Sequence, residues 1–237
     1  TKLMLQSYTS DGSTTFTDLS DSAHTITVTG NVHHEEDQHN DFHPTAMYFD
    51  GTGDYLTVPS IPNFDNYSAY CIEMWVNTSA TYGYLLHNFT SGSAMRLSVG
   101  NIRDGDDPGK VVWIDTMYAG SDHTVTSTSR VDDGDWHHIA ITRHTQNYPE
   151  KLYIDGVKEA TGTVANWNFD IGNTLYIGRA TDGTNYFTGY IEEIRISDDT
   201  NRYGGSGDAL FNPSGSKLVE SIGGGAGSGQ SGVGTSG

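Results

Sequence analysis

The segment from residue 33 to residue 43, HHEEDQHNDFH, concentrates four histidines and four acidic residues. In an extended conformation alternate side chains share a face, so His33 lies beside Glu35 and His39 beside Asp41. Imidazole combined with carboxylate suits zinc or nickel. Two other interpretations stay open. One is a solvated, charge-rich loop, which the composition favours, and the other is a pH-sensitive contact whose histidines titrate between about pH 5 and 8.

Two more histidines, His137 and His138, are adjacent in the segment DGDWHHIAITR. Because neighbouring strand residues point to opposite faces, these two cannot converge on one metal ion or one substrate atom. We expect Trp136, directly after the Asp-Gly turn, to anchor this hairpin in the core. The single cysteine, Cys71, lies in an apolar run and is predicted to be a buried, unreactive thiol.

The charge balance limits the class of partner. The chain has 12 Lys and Arg against 30 Asp and Glu, which gives a formal net charge of −18 over 237 residues. A surface this acidic repels DNA, RNA and anionic lipid, so polyanion binding is excluded as the main function. No window approaches the roughly 18 consecutive apolar residues of a membrane span.

The elements that must position these side chains are predicted to be antiparallel β-strands. Short runs rich in Val, Ile, Tyr, Trp and Thr alternate with polar residues and are separated by Asp-Gly turns such as Asp155-Gly156. Glycine supplies the positive φ that tight hairpin turns require. No long helical pattern interrupts the strands, so we expect an all-β fold in which two antiparallel sheets pack face to face as a β-sandwich.

Five segments, taken in order, resemble the laminin-G-like or concanavalin A-like jelly roll of lectins and adhesins. They are AMYFDGTGDYLTVP (46–59), YCIEMWVNTS (70–79), DGDWHHIAITR (133–143), KLYIDGVKEATG (151–162) and NTLYIGRATDGTNYFTGYIEEIRIS (173–197). The resemblance implies a β-sandwich with an inward-facing Trp75. The opening and exit segments, 3–32 and 193–213, resemble the versions of this domain found in tailed-phage virion proteins.

The resemblance also implies a structural calcium ion. Members of this family often carry one near the last strand and the early FDG turn, which here gives Asp50 and Glu192 as the candidate ligands. The family usually has Asp-Glu where this chain has Glu192-Glu193. Alternation places Glu192 on the face of Ile194 and Ile196, where a plain hydrogen bond or ion pair is the favoured alternative to a metal.

Glycan binding is the function that the resemblance favours. Lectins of this type stack aromatic rings on apolar sugar faces and hold sugar hydroxyls with Asp and Asn. The candidate ligand-binding residues, each an aromatic in turn-like surroundings or a polar neighbour, are Tyr82, Tyr84, Asn88, Asp115 and Tyr118. Taken one at a time, each aromatic residue is more often a packing residue than a binding platform.

The sequence divides into a jelly-roll domain, 1–215, and a Gly/Ser-rich extension, 216–237. We predict a non-catalytic protein of a virion surface or the extracellular space, such as a capsid decoration, fibre or tail component. Its expected partners are a glycan or cell-surface polysaccharide and other virion subunits or copies of itself. The alternatives are a secreted bacterial carbohydrate-binding or adhesin module and, less favoured, a polysaccharide-degrading enzyme, since Glu73 stands alone and Glu192-Glu193 are adjacent.

Overall fold

A computed structural model of the chain describes residues 1–40, 43–59, 61, 69–90, 93–116, 122–145, 148–163, 173–198 and 202–203. Within these ranges the regular elements are β-strands, and none of the described residues is helical. No helix in the described part of the chain is therefore long and apolar enough to cross a membrane. The strands form two antiparallel sheets, which confirms the predicted all-β sandwich.

The first sheet, sheet I, has eight strands in the spatial order β13-β12-β11-β6-β15-β4-β3, with β1 also paired to β15. Its strands are β1 (Leu3–Leu5), β3 (His33–Glu35), β4 (Ala46–Asp50), β6 (Tyr70–Asn77), β11 (Trp136–Arg143), β12 (Lys151–Ile154), β13 (Val157–Thr161) and β15 (Thr188–Asp198). The long β15 holds β6 on one side and both β4 and β1 on the other.

The second sheet, sheet II, has seven strands in the order β10-β9-β8-β7-β14-β5-β2. Its strands are β2 (Thr27–Thr29), β5 (Tyr55–Val58), β7 (Gly83–Thr90), β8 (Ser93–Asn101), β9 (Asp106–Thr116), β10 (Asp122–Arg130) and β14 (Leu175–Ile177). Asp155 (φ +51°) and Gly156 (φ +77°) form a turn with two positive φ angles between β12 and β13, as the Asp-Gly pair predicts.

The core lies between the two sheets and follows the strand alternation. Alternate residues of each strand point inward and pack together, among them Ile72, Met74 and Val76 from sheet I and Met95, Leu97, Val99, Val111 and Trp113 from sheet II. Burial of this apolar surface is the main stabilising contribution of such a fold. The intervening residues of sheet II form its outer face, which carries the site described below.

Two predictions about tryptophan are wrong. Trp75 is buried, but it shares a face with Glu73 and packs against the His138 ring at 5.2 Å, so it points away from the core between the sheets. Trp136 is only half-buried at the first position of β11 and is not part of the core. Cys71 is a fully buried free thiol, as predicted, and burial raises its pKa well above the ordinary value.

Candidate functional site

A bulge in β7 decides which of its side chains face outward. Tyr84 lies opposite Ser98 and Leu86 lies opposite Leu97, so Leu85 is an extra residue on this strand. The bulge shifts the alternation by one position. Consequently Tyr84 faces outward on one side of the bulge, and His87 and Phe89 face outward on the other.

These outward side chains line a groove of about 300 Å³ on the outer face of sheet II. The groove combines ring walls with polar and cationic groups from β8 and from the turn that follows β14; its described lining residues are Tyr84, His87, Phe89, Arg96, Arg103, Ala180, Thr181, Asp182, Thr184 and Asn185. Phe89 exposes 49% of its surface and Tyr84 only 5%, so one ring is open and the other forms the packed floor.

The 180–185 turn presents the groove's hydroxyl, carboxylate and amide groups. Thr184 donates its backbone N–H and its hydroxyl to Asp182 Oδ1, at 3.1 and 2.6 Å, and Asn185 Nδ2 donates to Thr184 Oγ1 at 2.9 Å. Gly183 and Asn185 adopt positive φ angles of +80° and +52°, a conformation that favours glycine and asparagine. The turn therefore holds its polar groups in fixed positions beside the rings.

The Tyr84 and His87 rings at the floor of the groove are held in place by neighbouring groups. The Tyr84 and His87 ring centroids are 4.7 Å apart, and Thr181 N–H donates to His87 Nδ1 at 3.1 Å. Burial and the charge of Arg96 lower the pKa of His87 to about 4, so its imidazole is neutral at ordinary pH. With Nδ1 accepting, the neutral ring carries its proton on Nε2 and can donate it.

Two arginines supply the cationic side of the groove. Arg96 Nη1 lies 3.7 Å from Asp122 Oδ1, and Arg103 pairs with the other oxygen of the same carboxylate. Burial lowers the pKa of Arg96, and the charge of Arg103 contributes in the same direction. The Arg103 side chain remains 46% exposed, so it can also contact a ligand from solvent.

The aromatic surface continues beyond the groove along sheet II. Tyr176 pairs in register with His87, and the Arg179 guanidinium lies 3.7 Å from the Tyr55 ring centroid and 4.8 Å from that of Tyr176. In such cation–π contacts the guanidinium is attracted electrostatically to the ring face. The outer face of sheet II thus offers a row of rings that is longer than the groove itself.

A second hollow of about 460 Å³ lies elsewhere, where the N-terminal segments cross β3. Its described lining residues are Gln6, Tyr8, Thr9, Thr15, Thr17, Leu19 and His34. Tyr8 is 66% exposed and Leu19 is 49% exposed. These lining residues include no Lys, Arg, Asp or Glu, and Tyr8 is their one exposed aromatic ring. The groove on sheet II therefore offers a ligand more aromatic and charged contacts.

The structure does not bring the five predicted glycan-binding residues together. Tyr84 lines the groove, whereas Tyr82, 37% exposed, donates its hydroxyl to the Gly105 carbonyl at 2.8 Å outside it. Asn88 is fully buried and donates to the carbonyls of residues 173 and 174, both at 3.1 Å. Asp115 is 1% exposed and faces the core, and Tyr118 lies outside the described residues.

The two predicted calcium ligands also lie apart. Asp50 is opposite Thr188 in the register of β4 and β15, so about 13 Å of strand separates it from Glu192. Asp50 is exposed and accepts a hydrogen bond from Thr52 N–H at 2.6 Å, while the buried Glu192 accepts one from Asn40 N–H at 3.1 Å. A shared coordination sphere does not form here, and a structural calcium ion stays a prediction.

A bulge explains the position of Glu192. Glu192 lies opposite Trp75 and Arg195 lies opposite Glu73, so β15 has one residue more than β6 between these pairs. The bulge coincides with the positive φ of Glu193, +56°. The prediction that Glu192 shares a face with the core residue Ile194 is therefore wrong.

In the His-rich segment 33–43, the described histidines take separate partners. His33 Nε2 lies 3.3 Å from Glu35 Oε2, as alternation predicts, but His39 Nδ1 contacts the Asn40 carbonyl at 2.7 Å. His43 forms a buried pair with Glu193, with 2.5 Å between Nε2 and Oε1. Asp41 lies outside the described residues. No group of three ligands forms around His33 or His39 within the described part of this segment.

The chain belongs to the concanavalin A-like lectin/glucanases superfamily, because the model of that family matches residues 50–201, more than half of the 237 residues. This match confirms the laminin-G-like resemblance. Among curated proteins, none matches the sequence.

Several solved structures share the fold at low sequence identity. The binding domain of Paraclostridial Mosquitocidal Protein 1 has a TM-score of 0.63 at 16% identity, covering 83% of this chain and 48% of that domain. Another match is domain 4 of AbnA, a GH43 extracellular arabinanase from Geobacillus stearothermophilus, in complex with arabinotriose. Its TM-score is 0.60 at 18% identity, and the match covers 82% of this chain and 90% of that domain. Mouse laminin α1 domains LG4-5 match with a TM-score of 0.51 at 17% identity, and the match covers 64% of this chain and 41% of the laminin chain. The chain thus spans about half the length of the toxin domain.

Proposed function

We propose that the chain is a non-catalytic, lectin-like module that binds a glycan in the groove on the outer face of sheet II. The observation that carries the proposal is the open Phe89 ring, 49% exposed, beside a groove of about 300 Å³. A hollow of this size holds a small ligand, and an exposed ring next to fixed polar groups suits a sugar, which has apolar faces edged by hydroxyls.

Each wall of the groove would serve a different part of the sugar. Phe89 stacks on an apolar face of the ring. On one side the Asp182 carboxylate accepts hydrogen bonds from sugar hydroxyls, and the Asn185 amide accepts or donates them. On the other side Arg96 and Arg103 donate hydrogen bonds. The neutral His87 adds a donor at the floor. The row of rings beyond the groove would let a longer chain make further contacts.

The relatives support binding without fixing the ligand. AbnA domain 4 was solved with arabinotriose and covers nearly the same length as this chain. Other matched folds are the binding domain of botulinum neurotoxin DC in complex with SialylT and the binding domain of botulinum neurotoxin serotype D. These proteins share the fold at 16–18% identity, so the particular glycan is left to experiment.

The acid chemistry of the groove favours binding over hydrolysis. Glycoside hydrolysis uses a pair of carboxyl groups about 5–10 Å apart on either side of the scissile bond. Among the described lining residues Asp182 is the one carboxylate. The nearby Asp122 carboxylate does not line the groove and is engaged by Arg96 and Arg103.

The test is a glycan array with the full chain, followed by titration of the best ligand against Phe89→Ala. Loss of one stacking ring is worth about 0.5–1.5 kcal/mol, or roughly a 2- to 12-fold weaker affinity. Tyr148→Ala is the matched control, because Tyr148 is also a surface ring, 36% exposed, but does not line the groove. Equal affinity for both variants, or cleavage of the ligand, contradicts the proposal.

The proposal extends to location: the module lies on a virion surface or in the extracellular space and assembles with other subunits or with its own copies. The resemblance of segments 3–32 and 193–213 to tailed-phage virion proteins supports this extension. A secreted bacterial adhesin remains the alternative. The mass in solution, measured by light scattering with and without residues 216–237, tests assembly, since loss of an oligomer on truncation supports it and a monomer in both forms contradicts it.

A further inference from the structure

Three ionisable side chains meet inside the sandwich, on the opposite face of sheet II from the groove. Asp115, His123 and Glu150 each offer a nitrogen or oxygen ligand atom, and these atoms all lie within 4.8 Å of one another. Asp115 is 1% exposed, His123 7% and Glu150 0%. The proposed function uses none of the three.

Both sheets contribute to this cluster. Asp115 on β9 and His123 on β10 are directly opposite in the strand register, on the same inward face as Trp113 and Val125. Glu150 immediately precedes β12 of sheet I. The polar cluster therefore occupies a place between the sheets that the alternation otherwise fills with apolar side chains.

The atoms that face one another in this cluster have no hydrogen-bond partner among the described residues. They are both carboxylate oxygens of Asp115, Oε2 of Glu150 and Nδ1 of His123. The other oxygen of Glu150, Oε1, accepts from the Tyr70 hydroxyl at 3.3 Å and lies 3.9 Å from Arg143 Nη1. Buried carboxylate oxygens without donors are costly, so the cluster calls for a further positive group.

The distances match the ligands of one small cation. His123 Nδ1 lies 3.2 Å from Asp115 Oδ1 and 3.4 Å from Glu150 Oε2, yet these contacts lack hydrogen-bond geometry. Ligands at the usual 2.0–2.1 Å from a tetrahedral zinc ion are about 3.3–3.4 Å apart. We propose that Asp115, His123 and Glu150 form a binding site for a divalent transition metal of the zinc type.

The ligand set distinguishes this site from a calcium site. Calcium takes six to eight oxygen ligands at about 2.3–2.6 Å, whereas this site has one imidazole nitrogen and two carboxylates. A divalent cation balances the two carboxylates of Asp115 and Glu150. Three protein ligands leave a fourth position for water.

Metal binding requires one local rearrangement. His123 Nε2 accepts a hydrogen bond from Thr163 N–H at 2.8 Å, but an imidazole bound to metal through Nδ1 carries its proton on Nε2. Rotation of the peptide plane between Gly162 and Thr163 replaces this N–H with the Gly162 carbonyl, which can accept the proton on Nε2. Glycine tolerates such a rotation, and its lack of a side chain also lets the backbone pass His123, since a Cβ at Gly162 would lie 2.6 Å from the ring.

Protons compete with the metal. The two carboxylates and the imidazole can ligate a metal ion only in their deprotonated forms. The other ionisable groups that face the Glu150 carboxyl are Tyr70 and Arg143. Because the metal must displace protons from its ligands, its affinity is expected to fall as the pH drops.

The test is titration of the chelator-treated full chain with Zn²⁺, with bound metal counted by elemental analysis. We expect one ion per chain, with affinity at least about 10-fold weaker in His123→Gln and in Asp115→Asn. The matched control is the double variant His33→Gln/His39→Gln, which removes two exposed or half-buried histidines of the His-rich segment and should leave the affinity unchanged.

Absence of zinc binding by the wild-type chain would overturn the proposal, and so would loss of zinc in the control variant alone. If His123→Gln or Asp115→Asn fails to fold, zinc-edge X-ray absorption of the wild-type chain identifies the zinc ligands instead. One imidazole in a nitrogen/oxygen shell at about 2.0–2.1 Å supports the site. Two or more imidazoles would place the ion elsewhere, on the histidine-rich segment, and overturn it.

Discussion

Replacement of Glu73 by glutamine should destabilise the sandwich strongly. This carboxylate is fully buried on the outer face of sheet I. Arg195 Nε donates a hydrogen bond to Oε1 at 2.7 Å, and Arg195 Nη2 lies 2.5 Å from the same oxygen. The Tyr203 hydroxyl donates to Oε2, and His138 Nε2 lies 3.3 Å from Oε2. The carboxylate therefore joins β6, β11, β15 and the segment that follows β15.

The size of the effect follows from the pKa of Glu73. Burial by itself raises this pKa, but the hydrogen bond from His138 and the charge of Arg195 outweigh burial and lower it from 4.5 to about 2. One pKa unit corresponds to about 1.4 kcal/mol, so the ionised Glu73 contributes roughly 3 kcal/mol to the free energy of unfolding. Removing one partner of a buried ion pair costs a similar 3–5 kcal/mol or so.

The sign of the pH dependence is fixed by the direction of the shift. Because the folded pKa is depressed, this contribution is complete above about pH 4.5 and is lost as the pH falls through about 2. The difference in unfolding free energy between wild type and Glu73→Gln should be about 3 kcal/mol at pH 7 and about half of that at pH 3.

Urea denaturation at both pH values measures this difference. Glu36→Gln is the control, because Glu36 is exposed and its replacement should change stability by less than about 0.5 kcal/mol. A Glu73→Gln variant that loses less than about 1 kcal/mol at pH 7, or a difference that does not shrink at pH 3, refutes this account of the cluster.

Three further predictions concern other parts of the fold. Hydrogen bonds to Asp155 and Asp133 raise the pKa of His137 to about 9. The wild type therefore gains stability from His137 that is complete below about pH 6.5 and is lost as the pH rises through 9. His137→Gln should lack this contribution, so its unfolding midpoint should fall below that of the wild type at pH 6 but not at pH 10. Gly178→Ala should cost more than about 1 kcal/mol in thermal unfolding, since Gly178 has φ +91° and a Cβ there would lie 2.7 Å from the Phe49 ring. NMR titration should show His87 staying neutral down to about pH 4, so glycan affinity should not change through this residue between pH 5 and 8.

Strand alternation and the Asp-Gly turns were sufficient to predict two antiparallel sheets packed face to face. Most strands keep a strict period of two, so the inward residues of β8 and β9 could be identified from their apolar character alone. The order of strands in each sheet could not be derived this way, because pairing between distant segments depends on packing that a single sequence does not display.

The candidate site was harder to predict because bulges change which face a residue occupies. Strict alternation from Tyr84 places Asn88 on the same face, but the extra residue Leu85 turns Asn88 inward and brings His87 and Phe89 to the surface. A bulge inserts one residue without a characteristic residue type, so the sequence gives no warning of it. Asp115 could have been placed correctly, since it follows Trp113 at the period of an inward-facing strand.

The central claim is that the groove on sheet II holds the glycan. Its most direct test is NMR chemical-shift mapping of the full chain with the best ligand from the array. We predict that the largest shifts fall on Phe89, Arg96 and the 181–185 turn, which surround the groove. Shifts concentrated instead around Tyr8 and Leu19, at the second hollow, would contradict the account.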